Sequence, residues 1–81
     1  MTVRYSQHFL RQCAAAPPQV RKAFDKQWEL LLENPAYPSL RAKEYRGTLD
    51  LWQARVNRGW RFYFTIEGNE YHLHEIKRHP K

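Results

Sequence analysis

The sequence is poor in residues that could staple it covalently, and it has nothing to place in a membrane. Its 81 residues include one cysteine, Cys13, so no disulfide can close within the chain. That scarcity fits a reducing compartment. No apolar run approaches the roughly 20 residues that span a bilayer. The opening MTVRYSQHFLRQ is too polar for a secretory signal. A soluble, cytoplasmic protein is expected. Glycine is also scarce, at three residues, and none belongs to a nucleotide-binding glycine pattern. No serine or cysteine constellation suggests acyl transfer. Acidic residues are few: eight Asp and Glu stand against fourteen Lys and Arg, a formal charge of +6. Nine of those fourteen cations lie from Arg41 onward. Such a balance favours polyanionic partners, nucleic acid or an acidic protein.

What the chain does have is aromatic side chains. Three Trp, five Tyr and four Phe supply much of the apolar area that a core this small can bury. Residues 1–81 are expected to form one domain. Thr2 to Tyr5 reads as a short strand. Ser6 is a candidate N-cap for a helix running through Phe9, Leu10 and Cys13 to about Ala15, with Cys13 as small core filler. Pro17 and Pro18 end it, and Pro18 suits the first turn of a second helix. In that helix Val20, Ala23, Phe24, Trp28, Leu31 and Leu32 recur at helical spacing, so this stripe is expected to face the core. Asn34-Pro35 stops it. A basic connector, with Arg41, Lys43 and Arg46, runs to Asp50.

Three strands follow, two of them in LWQARVNRGWRFYF. Trp52, Ala54 and Val56, then Trp60, Phe62, Phe64 and Ile66, are all even-numbered, so both sets must share one face. Pairing Val56 with Trp60 across a three-residue Asn57-Arg58-Gly59 loop achieves this, with Gly59 expected in the left-handed region. Arg55 then faces Arg61, and Gln53 faces Tyr63, on the other side of the sheet. Gly68-Asn69 makes a two-residue turn that pairs Phe64 with Leu73, Thr65 with His72 and Tyr63 with His74. Beyond Leu73 the alternation fails, which predicts a bulge or a sheet edge.

Two like charges facing each other in a sheet are destabilising. At about 5.5 Å the repulsion is roughly 0.8 kcal/mol in water and about 3 kcal/mol at an effective dielectric of 20. An anion held between the two guanidinium groups would explain the pair, because their forks match phosphate oxygens. The alternative is a solvated face with the arginines tied to Glu67, Glu70 or Glu75. His79, beside Lys77 and Arg78 in the tail, can exchange a proton near neutral pH. His72 and His74 form an HxH pair with no third fixed ligand, a poor metal site, so no metal and no cofactor is expected.

The order of elements, together with ENPAYPSLRAKEYRG and RVNRGWRFYF, resembles the RelE/ParE superfamily of toxins from type II toxin–antitoxin systems, with the hairpin nearest to HigB-type members. The resemblance implies an α+β fold: a short N-terminal strand, two helices and a three-stranded antiparallel run, with the helices on one face of a twisted sheet. It implies a metal-independent messenger-RNA endonuclease working on the ribosome, in which the ribose 2′-hydroxyl attacks the adjacent phosphate. On that reading Arg61 neutralises the phosphate, Arg55 positions it, and His79 transfers a proton, with Glu75, His74 and Lys77 behind it. Gln53, Tyr63, Lys77 and Arg78 would contact the message, Tyr63 by stacking. Arg41, Lys43 and Arg46 would contact ribosomal RNA. A cognate antitoxin is the implied protein partner. Neither the C-terminal helix nor the late tyrosine of some RelE members is expected here. The ParE branch, whose members poison DNA gyrase and are not nucleases, therefore stays open, as does an inactive antitoxin-binding homologue.

Overall fold

The computed structural model describes residues 2–34, 36–44 and 51–79. The elements run β1 (Thr2–Tyr5), α1 (Gln7–Ala15), α2 (Pro18–Glu33), a 3-10 turn (Pro38–Leu40), β2 (Lys43–Glu44), β3 (Leu51–Asn57), β4 (Trp60–Glu67) and β5 (Glu70–Arg78). The strands form one sheet in the order β1-β5-β4-β3-β2. β1 joins β5 in parallel, and the other pairings are antiparallel. The three-stranded run is therefore the middle of a mixed sheet with a short strand at each edge.

The helices start where the sequence allows them to. Ser6 accepts the Phe9 N–H on its hydroxyl at 2.9 Å, and donates that hydroxyl to the His74 carbonyl at 3.0 Å. Its own N–H donates to the Leu73 carbonyl at 3.0 Å. One residue thus caps α1 and ties it to β5. Pro18 opens α2 at a position whose N–H has no intrahelical partner. Arg21 donates to the Ala14 and Ala16 carbonyls at the end of α1.

One face of the sheet carries the core. Ala54, Val56, Phe62, Phe64, Tyr71, Leu73 and Ile76 meet Phe9, Val20, Phe24, Trp28 and Leu31 from the helices. Phe24 sets its edge on Phe62 at 5.1 Å between ring centres, and Trp28 does the same on Tyr71 at 5.5 Å. Such pairs contribute about 0.5–1.5 kcal/mol each beyond area burial. Leu32 and Leu10 fall off this surface and are exposed. Leu32 adjoins Leu31, so the helical rotation between neighbours carries it out of the stripe. Cys13 is half-buried against the core; burial, then the Asp25 charge, raise its thiol above the ordinary value.

Both hairpins depart from the expected pairing. Asn57, not Val56, pairs with Trp60, and the turn is Arg58-Gly59. A register shift between Arg55 and Asn57 absorbs the extra residue. That bulge restores the parity a two-residue turn would break, so both apolar sets still share a face. Gly59 does not take a positive φ; its N–H donates to the Asn57 side chain at 2.9 Å. In the second hairpin Gly68 is left-handed, at φ 61°. Phe64 pairs with Leu73 and Thr65 with His72 as expected, but Tyr63 pairs with Glu75, not His74. The bulge past Leu73 turns Ile76 inward, where it is 1% exposed. At this bulge the edge of β5 passes from β1, which pairs through Leu73, to α1, whose Gln12 side chain accepts the Ile76 N–H at 2.9 Å.

Candidate functional site

The face away from the helices is organised in rows across the strands. One row is Lys43, Gln53, Tyr63 and Glu75. The next is Arg55, Arg61 and Lys77. Arg41, two residues before Lys43, extends that second row in sequence register, and its charge acts on Arg61. Four cations thus converge at one end of the face. Arg41 holds a left-handed backbone at φ 48°. That conformation is uncommon for a residue with a β-carbon, and non-glycine residues held there cluster at functional sites.

Arg61 is the centre of this group. Its Nη1 donates to the carbonyls of Asn57 at 2.7 Å and Trp60 at 2.9 Å, which aims the guanidinium and leaves its other nitrogens unengaged among the described residues. Partial burial, and then the facing Arg55, pull its pKa below the ordinary value. Among the described residues no carboxylate pairs with Arg55 or Arg61. The acids that could have tied them are taken elsewhere. His72 bonds Glu67 through Nδ1 at 2.9 Å and Glu70 through Nε2 at 2.7 Å, and Arg4 adds a contact to Glu70 at 3.3 Å. Glu75 meets Lys77 at 3.1 Å and His8 at 3.4 Å. Along β4 the outward positions run Arg61, Tyr63, Thr65, Glu67, so the face grades from cationic to acidic.

The other expected site residues fall around this row. Gln53 and Tyr63 are buried, at 6% and 4% exposure, although they point away from the helices. The Lys77 ammonium lies 5.1 Å over the Tyr63 ring, so that ring forms the floor of the surface. Lys43 is exposed on the edge strand. Arg78 is exposed opposite Trp60. His79 follows β5, its N–H bonded to the Gly59 carbonyl at 2.8 Å. Arg46 lies outside the described residues. Among the described residues no group of three or more His, Cys, Asp or Glu could hold a metal ion. No helix among them is long and apolar enough to cross a membrane.

Beside the cation row lies a cleft of about 550 Å³ lined by Ser6, His8, Leu51, Tyr63, Thr65, His74 and Glu75. Thr65 Oγ1 and His74 Nε2 are 2.9 Å apart within it. Ser6 and His8 were not legible in the sequence as site residues. They are 68 and 67 positions before their respective neighbours His74 and Glu75, and the parallel pairing of β1 with β5 brings them there.

No protein-family model matches the chain, and no curated protein matches it. Solved structures do. The YoeB/ParE toxin from Agrobacterium tumefaciens superposes with a TM-score of 0.82 at 10% identity, over 99% of this chain and 100% of that one. The YoeB dimer from Staphylococcus aureus gives 0.82 at 14% identity, over 99% and 98%. The toxin–antitoxin complex RelBE2 from Mycobacterium tuberculosis gives 0.77 at 20% identity, over 96% of each chain. The two helices on a five-stranded mixed sheet are therefore the fold of the RelE/ParE toxins.

Proposed function

We propose that this protein is the toxin of a toxin–antitoxin pair and that it cleaves messenger RNA on the ribosome. The observation that carries this reading is the facing of Arg55 and Arg61 with no carboxylate between them among the described residues. The charge at Arg61 is partly desolvated and repelled, and a phosphate would relieve both penalties. Preorganised cations lower the barrier to 2′-hydroxyl attack because negative charge grows on the phosphoryl oxygens. The 2′-oxygen loses its proton and bonds to phosphorus. The P–O5′ bond breaks, and the 5′-oxygen takes up a proton.

In-line displacement needs the proton acceptor and the proton donor on opposite sides of the phosphate. Glu75 precedes Lys77 on β5 by two residues, and His79 follows it by two, just past the end of the strand. Each is one row, roughly 6.6–6.8 Å, from the cation row. Glu75, with His74 beside it, serves the 2′-hydroxyl side, and His79 serves the leaving oxygen. Lys77 balances Glu75. Arg41, Lys43 and Arg46 hold ribosomal RNA phosphates, Gln53 and Arg78 line the path of the message, and Tyr63 underlies it. The protein partner is an antitoxin with an acidic segment that folds on binding to this +6 chain. The E. coli RelBE toxin-antitoxin complex contains a chain of this fold, with a TM-score of 0.77.

The test is induction of wild type, Arg61→Ala and Arg61→Lys in cells, with mapping of RNA 5′ ends. Wild type should produce new ends within translated codons. Arg61→Ala should lose about 10²–10³-fold in cleavage rate while keeping its circular dichroism spectrum. Arg61→Lys, which keeps the charge and loses the fork, should fall between them. Full toxicity in a folded Arg61→Ala protein would refute the assignment. Gyrase–DNA breaks without RNA cleavage would move the protein to the gyrase-poison class.

A further inference from the structure

A second cleft opens between α2 and the end of β3. Among the described residues β2 pairs only with Trp52 and Gln53, so past Gln53 the outer edge of β3 meets α2 instead of a strand. Gln27 closes that edge. Its amide nitrogen donates to the Arg55 carbonyl at 2.8 Å and the Ser39 carbonyl at 3.0 Å, which spends both amide protons. Its amide oxygen accepts no hydrogen bond among the described residues. Gln27 is only 8% exposed, yet no fully buried side-chain oxygen or nitrogen among those residues lacks a partner. The oxygen is therefore reached from outside, and Gln27 borders a cleft of about 400 Å³, within the roughly 300–1,000 Å³ of small-ligand sites. We infer that this cleft binds the end of a peptide chain: a free terminal carboxylate on a residue with an aliphatic side chain. The inference stands apart from the RNA reading.

Each part of such a chain end has a counterpart in the lining. Ala23, Lys26, Gln27 and Leu30 follow one another at the three- and four-residue spacing that puts them on one face of α2. Ala23 and Leu30, with Val56 from β3, give an apolar floor for an aliphatic side chain. Gln27 holds a fixed acceptor for the last peptide N–H, since its other end is anchored twice. Lys26 and Arg58 stand exposed at the rim. Among the described residues neither pairs with a carboxylate, so both are available to an incoming one. In a terminal residue the N–H, the carboxylate and the side chain radiate from a single carbon, so one residue meets all three features in a small site. An internal Asp or Glu would spend its side chain on the cations and leave the floor bare. A nucleotide fits less well, because no aromatic ring borders the cleft for a base to stack on. Arg55 borders both this cleft and the cation row.

The test uses the whole isotope-labelled protein and an N-acetylated tetrapeptide of three glycines and a C-terminal leucine, titrated by NMR. The same peptide amidated at its end is the control. The free acid should shift the Gln27 side-chain amide and the Leu30 and Val56 methyl signals. The amidated peptide should bind about tenfold more weakly, as expected for losing a hydrogen bond to a charged group. Lys26→Glu and Arg58→Glu should each weaken the free acid by about tenfold on the same ground. Leu30→Trp, which fills the floor, should abolish the shifts, and the two charge variants decide the matter if that protein fails to fold. Equal affinity for the free acid and the amide would overturn the site, as would binding undiminished in both charge variants. Shifts at Arg61 with none at Gln27 would put the peptide on the cation row and overturn it too, and so would the absence of any shift at millimolar peptide. None of these outcomes bears on the phosphate reading, which Arg61→Ala tests by RNA cleavage.

Discussion

Arg55 and Arg61 face each other on adjacent strands, and the repulsion between them is a cost the fold carries. Like charges at such positions destabilise by about 0.2–1 kcal/mol. For a domain this size 1 kcal/mol corresponds to about 4–8 °C of Tm. Arg55→Gln is therefore expected to raise Tm by about 2–4 °C in low salt, and the gain should fade as added salt screens the pair. Inorganic phosphate should stabilise wild type more than the variant. Calorimetry across a salt series checks both. A fall in Tm on substitution would mean that Arg55 supports the fold. That the two arginines meet could be read from the parity of the apolar positions in LWQARVNRGWRFYF. That Arg41 joins them could not, because it depends on a left-handed backbone at φ 48° in a connector with no periodicity.

Gln27 shows how one element aims another. It is a buried polar residue on α2, 8% exposed, and its side-chain amide donates to the Arg55 carbonyl at 2.8 Å and the Ser39 carbonyl at 3.0 Å. It thereby locks the helix to β3 and to the turn that precedes Arg41. Gln27→Met keeps the volume and leaves both acceptors without this donor. It should cost about 1–3 kcal/mol, seen as a lower urea midpoint at unchanged slope, and RNA binding should weaken because Arg55 and Arg41 lose a common anchor. An unchanged midpoint would count against the anchor. The amphipathic stripe of α2 was plain in the sequence, because a 3.6-residue period is a local property. The role of Gln27 was not, since its partners lie 12 and 28 residues away. The hairpins divide in the same way. Parity required that Trp52 and Phe62 share a face, yet whether a three-residue loop or a bulge satisfied it was settled by packing, which buries Val56 at 3% exposure.

Across the molecule, charge is sorted. The outward face runs from the Arg41–Arg55–Arg61–Lys77 row to the Glu67–His72–Glu70–Arg4 cluster, so a bound strand meets attraction at one end and acid at the other. Binding to a single-stranded oligonucleotide should weaken with salt, with a slope in log K against log[salt] of about −0.7 per phosphate contacted. Arg61→Ala should flatten that slope by about 0.7, whereas Arg4→Ala, at the acidic end, should leave it unchanged. A slope indifferent to Arg61 would place the contact elsewhere. The basic balance, the two helices, the antiparallel run and the meeting of Arg55 with Arg61 all follow from composition and periodicity, which depend on neighbours a few residues apart. The parallel seat of β1, and the cleft that α1 closes with Ser6 and His8, arise from contacts between residues more than 60 positions apart. No local pattern encodes such contacts; they exist because the chain must bury its aromatic face and pair the edge of β5 at the same time.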